Sequence, residues 1–255
     1  MATIDRHATV PLLCGVALGI VDFAAQKLLP YPWANLANSS AVWAVLAFAM
    51  AYALRGSVLR SVVGAIVMLV VAVPAYYLTA TAVQDDALSN VWATTALLWM
   101  FFGVLAGAVF GVAAAWARDG AVAPDSAGAR DHVSVAHGTA VPDGAGARAG
   151  GPGPDGARAQ VPDGAVARDG GWRDKWVRGG WRGVVGVALP AAVLLAEAAR
   201  LARRDETATA VIEAVLAVVV LILAGRTWRR RGLGGAVAVP LALLGFAGFQ
   251  VAGFA

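Results

Sequence analysis

Seven stretches of the chain are apolar over about the length of one membrane crossing, at 11–29, 38–54, 61–80, 91–116, 183–201, 207–225 and 233–253. A helix rises about 1.5 Å per residue through a hydrocarbon core about 30 Å thick, so about 20 mostly apolar residues make one span. The second stretch is the shortest, and "WAVLAFAMAYAL" at 43–54 carries it. The pattern predicts an all-α fold, a polytopic transmembrane helix bundle of about seven spans with six as the alternative. Four helices fall in an N-terminal membrane block, 1–117, and three in a C-terminal block, 183–255. The first stretch follows Arg6 and His7 as the core of a secretory signal would, but no A-x-A site follows it, so a retained helix is expected.

Between the blocks the pattern changes. Residues 118–171 repeat a short unit, as in "APDSAGAR" (123–130), "VPDGAGAR" (141–148) and "VPDGAVAR" (161–168), with almost no large apolar side chain beyond valine. Such a segment cannot bury enough surface to offset the entropy of ordering, and a disordered Pro/Gly/Ala/Asp/Arg linker is expected. His132 and His137 lie in it without further ligands, which favours a solvated tract over a metal site. The segment "WRDKWVRGGWR" at 172–182 reads either as a short interfacial helix on an anionic leaflet or as an aromatic belt for the next span.

Composition agrees with a bilayer environment. Hydrophobic residues make up 59% and charged residues 14%, with a mean hydropathy of +0.69, against roughly 45–50% and 25% in soluble domains. The isoelectric point of 9.7 would suit nucleic acid, but the arginines cluster beside apolar runs and no nucleic-acid-binding signature occurs. The anionic partner expected is therefore the lipid bilayer, with no nucleic acid. Cys14 is the one cysteine, which excludes an intrachain disulfide and suits a small apolar core position.

Lys and Arg resist translocation and stay cytoplasmic. With the N-terminus inside, sixteen of the 20 fall on the cytoplasmic side along with 118–181, leaving Lys27, Arg200, Arg203 and Arg204 outside. The expected location is the plasma membrane, multi-pass, with the C-terminus outside if there are seven spans.

That orientation makes "AEAARLARRDETATAVIEA" (196–214) an external hairpin in which Glu197 and Glu213 each stand eight residues from Asp205 and reach similar depth. Asp22 joins them from the first span, seven residues before Leu29, or roughly 10 Å below its outer end. A carboxylate at the bilayer centre costs about 2.5–3.5 kcal/mol and less toward the interface, so each acid needs a partner or a water-filled cavity. Glu197 has a partner at hand in Arg200, three residues on, with Arg204 on the same stripe. Asp22 and Glu213 have no local cation except Lys27, which is poorly placed for Asp22, so they either pair across helices or line a polar pocket. Gln26 extends the Asp22 face by one turn. Asn38 in the first external loop, Tyr77 near the external end of the third span and Trp92 at the start of the fourth complete the candidate ligand-binding set. Aromatics at such depths also form interfacial belts without any ligand.

Helix packing is signalled by small residues. Gly15 and Gly19 on the first span, and Gly103, Gly107 and Gly111 on the fourth, form G-x-x-x-G faces for close backbone contact, within the bundle or against another membrane protein or a second copy. Pro74, Pro190 and Pro240 each remove a backbone donor inside a span, which either shapes a cavity or improves packing. No nucleophile, metal or phosphate-binding motif occurs and no histidine lies in a span, so neither catalytic nor metal residues nor a cofactor are expected, and the chain reads as a non-enzyme.

The motifs "LANSSAVW" (36–43) and "LPAAVLLAEA" (189–198) resemble the polytopic membrane proteins of actinobacteria grouped as a domain of unknown function. The resemblance covers about 10–117 and 182–253 and associates Asn38, Ser39, Pro190 and Glu197 with recurring patterns. It brings no activity. Two functional classes follow from the residues: a small-solute binding or transport component with an outward-facing polar pocket, or a non-transporting interaction or envelope-organising protein with a cytoplasmic tether.

Overall fold

The computed structural model describes residues 6–119, 170–225 and 227–251. They form α1 (Arg6–Leu28), α2 (Trp33–Ala37), α3 (Ser40–Leu54), α4 (Val58–Gln84), a 3-10 turn (Leu88–Trp92), α5 (Thr94–Asp119), α6 (Gly170–Ala202), α7 (Thr207–Ala224) and α8 (Trp228–Val251). No strand occurs among the described residues. The repeat segment expected over 118–171, with His132 and His137, lies outside them but for its ends. The Trp/Arg stretch 172–182 belongs to the early turns of α6, one continuous helix of 33 residues that runs on through the fifth span.

Among the described residues, six helices are long and apolar enough to cross a membrane: α1, α4, α5, the Gly180–Ala202 part of α6, α7, and the Trp228–Gly248 part of α8. The expected span at 38–54 is α3, which has only 15 residues, or roughly 22 Å of rise. Ser39 enters it in extended backbone, and Arg55, left-handed at φ 51°, stops it. Its short length is tolerated because α3 faces protein. Ala41, Ala44, Ala47, Phe48, Met50 and Ala51 are all buried, against α4, α5 and, through Ala41, α6. A helix lined by other helices does not have to match the bilayer thickness by itself. It still carries the chain from one end of the bundle to the other, from the bond of Ser39 to Glu213 to the bond of Gly56 to Arg118.

The distribution of side-chain size is that of a bundle whose outer face is apolar. Leu12, Leu13 and Val21 on α1, Leu97 and Leu98 on α5, and Leu243 and Leu244 on α8 are exposed, whereas Ala47, Ala65, Ala72, Ala113, Ala191 and Ala238 are fully buried. Large apolar groups gain nothing by leaving lipid, so close packing of small residues holds such helices together. The helix α4 is packed on both sides this way. Gly15 and Gly19 bring α1 onto it at Met68 and Ala72, and Gly107 and Gly111 bring α5 onto it at Ile66 and Val62. Both G-x-x-x-G faces therefore pack against α4 inside the bundle. Gly186 plays the same part for α6 against Ala113 and Ala117 of α5.

One end of the bundle is tied by Arg118 near the end of α5. Its guanidinium donates to the carbonyls of Ala51 (2.5 Å) and Gly56 (2.8 Å) and to the Ser61 hydroxyl (2.7 Å). The last carbonyls of a helix have no partners within it, and a cation there also complements the helix dipole. Arg118 thereby closes the α3 C-terminus and fixes the turn into α4.

Candidate functional site

At the other end, three consecutive residues, Asn38, Ser39 and Ser40, divide two polar regions. Ser39 is the N-cap of α3, and its side chain makes no capping bond. A capping serine ordinarily accepts from a backbone N–H of the first turn. Here the hydroxyl instead donates to Oε1 of Glu213 on α7, a residue 174 positions away, at 2.5 Å. Asn38 and Ser40, on either side of it, line a cavity of about 210 Å³.

The cavity is built from stripes at helical spacing. Trp43 and Ala44 follow Ser40 on α3; α4 contributes Leu69, Val73, Tyr76 and Tyr77; α5 contributes Trp99, Phe102, Gly103 and Ala106; α1 contributes Asp22. Gly103 admits α5 closely beside Leu69 of α4, which sets the two aromatic stripes on one space. Trp99 and Phe102 stand edge to face at 6.1 Å, and Tyr76 meets both Phe23 (5.5 Å) and Tyr77 (5.4 Å) in the same manner. Five aromatic side chains thus share the walls with one acid.

Asp22 is 5% exposed. Gln26, one turn on, donates to Oδ2 at 2.9 Å and accepts at 3.4 Å from the Tyr76 hydroxyl. Oδ1 has no hydrogen-bond partner. No lysine, arginine or histidine is among the lining residues, and Lys27 lies over the Phe23 ring, 5.9 Å from its centroid.

Glu197 and Glu213 form the second region. Arg200 donates to Glu197 through Nε at 3.0 Å and through Nη2, which makes the local pair that the spacing predicted. Glu213 is fully buried, and its Oε2 lacks a partner, as does the hydroxyl of Thr209 one turn before it. Asn35 donates to Glu206 at the adjoining turn. Of the seven candidate residues, Asp22, Asn38 and Tyr77 line the cavity and Gln26 supports Asp22. Glu197 and Glu213 stand apart from the lining, and Trp92 is 71% exposed on the 3-10 turn.

The Ser39–Glu213 bond gives a direct test of this junction. Ser39→Ala leaves a buried carboxyl without the one hydrogen bond it makes among the described residues and is expected to cost about 1–2 kcal/mol, because a buried polar group loses its partner outright. Replacing both groups by apolar ones, Ser39→Ala with Glu213→Met, is expected to recover most of that loss. Detergent-denaturation curves of the two singles and the double check it; a double variant as unstable as the sum of the singles would show that the pair is not coupled.

Residues 2–143 match the model of a family of unknown function, DUF6518. The chain belongs to that family. The DUF6518 match takes in α1 to α5, and every residue that lines the cavity falls inside it. It stops short of the second block, 182–253, in which the sequence resemblance was also drawn. No curated protein and no solved structure matches the chain.

The sequence reading of the DUF6518 cavity missed Trp43, Trp99 and Phe102. Their signal was present as the i, i+3 and i+4 spacings of Ser40, Trp43 and Ala44, and of Trp99, Phe102 and Gly103. Aromatic stripes of that spacing arise equally on lipid-facing surfaces, so the pattern alone does not tell a wall from a belt.

Proposed function

We propose that the chain is a membrane-embedded solute-binding or transport component whose ligand occupies the cavity between α1, α3, α4 and α5. The carrying observation is Asp22, a buried acid with an unpartnered oxygen on the wall of an aromatic cavity. Ionisable groups inside membrane spans are costly and mark pathways or binding sites. A volume of about 210 Å³ falls below the roughly 300–1,000 Å³ of pockets for drug-sized molecules, which suits a small solute. The sequence assigns sixteen of the 20 basic residues to the cytoplasmic side, and two of these, Arg55 and Arg118, stand at the end of α3 away from Asn38 and Ser40, so the positive-inside rule supports a cavity at the extracytoplasmic side, in the plasma membrane. Glu213 serves in this reading to tie α7 to the start of α3, and so to position Asn38 and Ser40, while Glu197 is paired with Arg200 on its own helix.

Native mass spectrometry of gently purified full-length chain tests this. A small-molecule adduct is expected on the native chain and is expected to be lost when Ala106→Trp fills the cavity. An adduct retained at the same occupancy by a folded Ala106→Trp variant would place the ligand elsewhere.

A further inference from the structure

We propose that the ligand is a small organic cation, its ammonium group held by Asp22 among the aromatic walls; this rests on the solute-binding reading above. Three observations converge. Asp22 is buried with Oδ1 unpartnered and no basic side chain shares the cavity, so a positive charge is the group the site lacks. The walls carry Trp43, Tyr76, Tyr77, Trp99 and Phe102. Aromatic faces are electron-rich and attract cations, most strongly where water is excluded, and cages of such rings are suited to quaternary ammonium. The hydrogen bonds of Asp22 also leave one side of it free. Gln26 holds Oδ2, Tyr76 holds Gln26 and the Trp43 side chain also stabilises the carboxyl, while Oδ1 makes no hydrogen bond of its own among the described residues.

An anionic ligand fits poorly. It would meet a buried carboxyl and ring faces of the same electrostatic sign. A neutral ligand would offer an ionised Asp22 no countercharge. The ammonium could be carried by a free amine or by a lipid headgroup, and the chemistry at Asp22 is the same for both.

The test uses purified full-length chain in nanodiscs of phosphatidylglycerol, which carries no amine, titrated calorimetrically with choline and with its uncharged isostere 3,3-dimethylbutan-1-ol. Choline is expected to bind saturably and at least about tenfold more tightly than the isostere, with Asp22→Asn abolishing most of that preference. Trp99→Leu, at a half-exposed position, is expected to weaken choline about fivefold and keeps the test open if Asp22→Asn does not fold. Equal binding of choline and the isostere, or an unchanged choline affinity in folded Asp22→Asn, would overturn the cation assignment. Choline failing while a neutral or anionic solute binds and is lost in Ala106→Trp would overturn it and leave the solute-binding reading standing. In discs that also contain phosphatidylcholine, a choline affinity of the native chain that falls as the phosphatidylcholine fraction rises would support the cation and replace the free solute by a headgroup. No saturable binding of any probe would remove both.

Discussion

Replacing Gly107 with valine is expected to destabilise the bundle by about 3 kcal/mol or more, at or beyond the upper end of over-packing costs. The first added carbon alone would lie 2.6 Å from Cα and N of Ile66. These are backbone atoms of the central helix α4, so no rotamer change relieves the clash and α5 must move away as a body. That motion also pulls Gly103, Trp99 and Phe102 from the cavity wall, so ligand binding is expected to fall with stability. Gly232 provides the control. A Cβ there meets nothing within 4 Å, and Gly232→Ala is expected to be neutral or to stabilise by up to about 1 kcal/mol through helix propensity. Detergent-denaturation midpoints of the two variants decide it; equal effects would show that close α4–α5 contact does not hold the bundle.

Arg118→Leu is expected to cost about 3 kcal/mol, since hydrogen bonds to a charged donor contribute roughly 1.5–3 kcal/mol and act here on shared neighbours. The carbonyls of Ala51 and Gly56 and the hydroxyl of Ser61 lose their donor together. Arg118→Lys is expected to restore less than half of the loss. An ammonium on a flexible stem lacks the planar fork that reaches acceptors on two sides at once. The same denaturation measurement checks the series, and a lysine variant of native stability would show that charge near the α3 terminus matters and the fork does not.

Much of the scaffold was legible along the chain because a bilayer demands one thing locally, an unbroken apolar run. The run at 61–80 lies inside α4, the run at 91–116 begins three residues before α5 and ends within it, and the run at 207–225 ends one residue past α7. The short run at 38–54 was also visible, but that α3 sits in the interior was not, because its alanines read the same against protein or lipid. Asp22, Gln26, Asn38 and Tyr77 were found from depth and polarity alone. Depth is a property of position in a span, whereas the direction of a side chain around the helix is fixed only by its neighbours. For that reason Trp92 reads from the sequence as part of the set although it is exposed and does not line the cavity, and Trp43 and Trp99 do not stand out.

Pairings differ in the same way. Glu197 and Arg200 are three residues apart and could be matched by helical spacing. Ser39 and Glu213 are separated by 174 positions, and nothing in either neighbourhood names the other.

By itself the sequence determined an all-helical bundle with long apolar helices and the glycine faces that let them approach. These are local or additive properties, set by the solvent around each segment. Only the tertiary structure decided that one acid faces a cavity while another is held by a serine, which glycines meet which backbone, and which aromatics enclose a space. Those outcomes depend on helix rotation and neighbour identity, which follow from the simultaneous packing of all the helices.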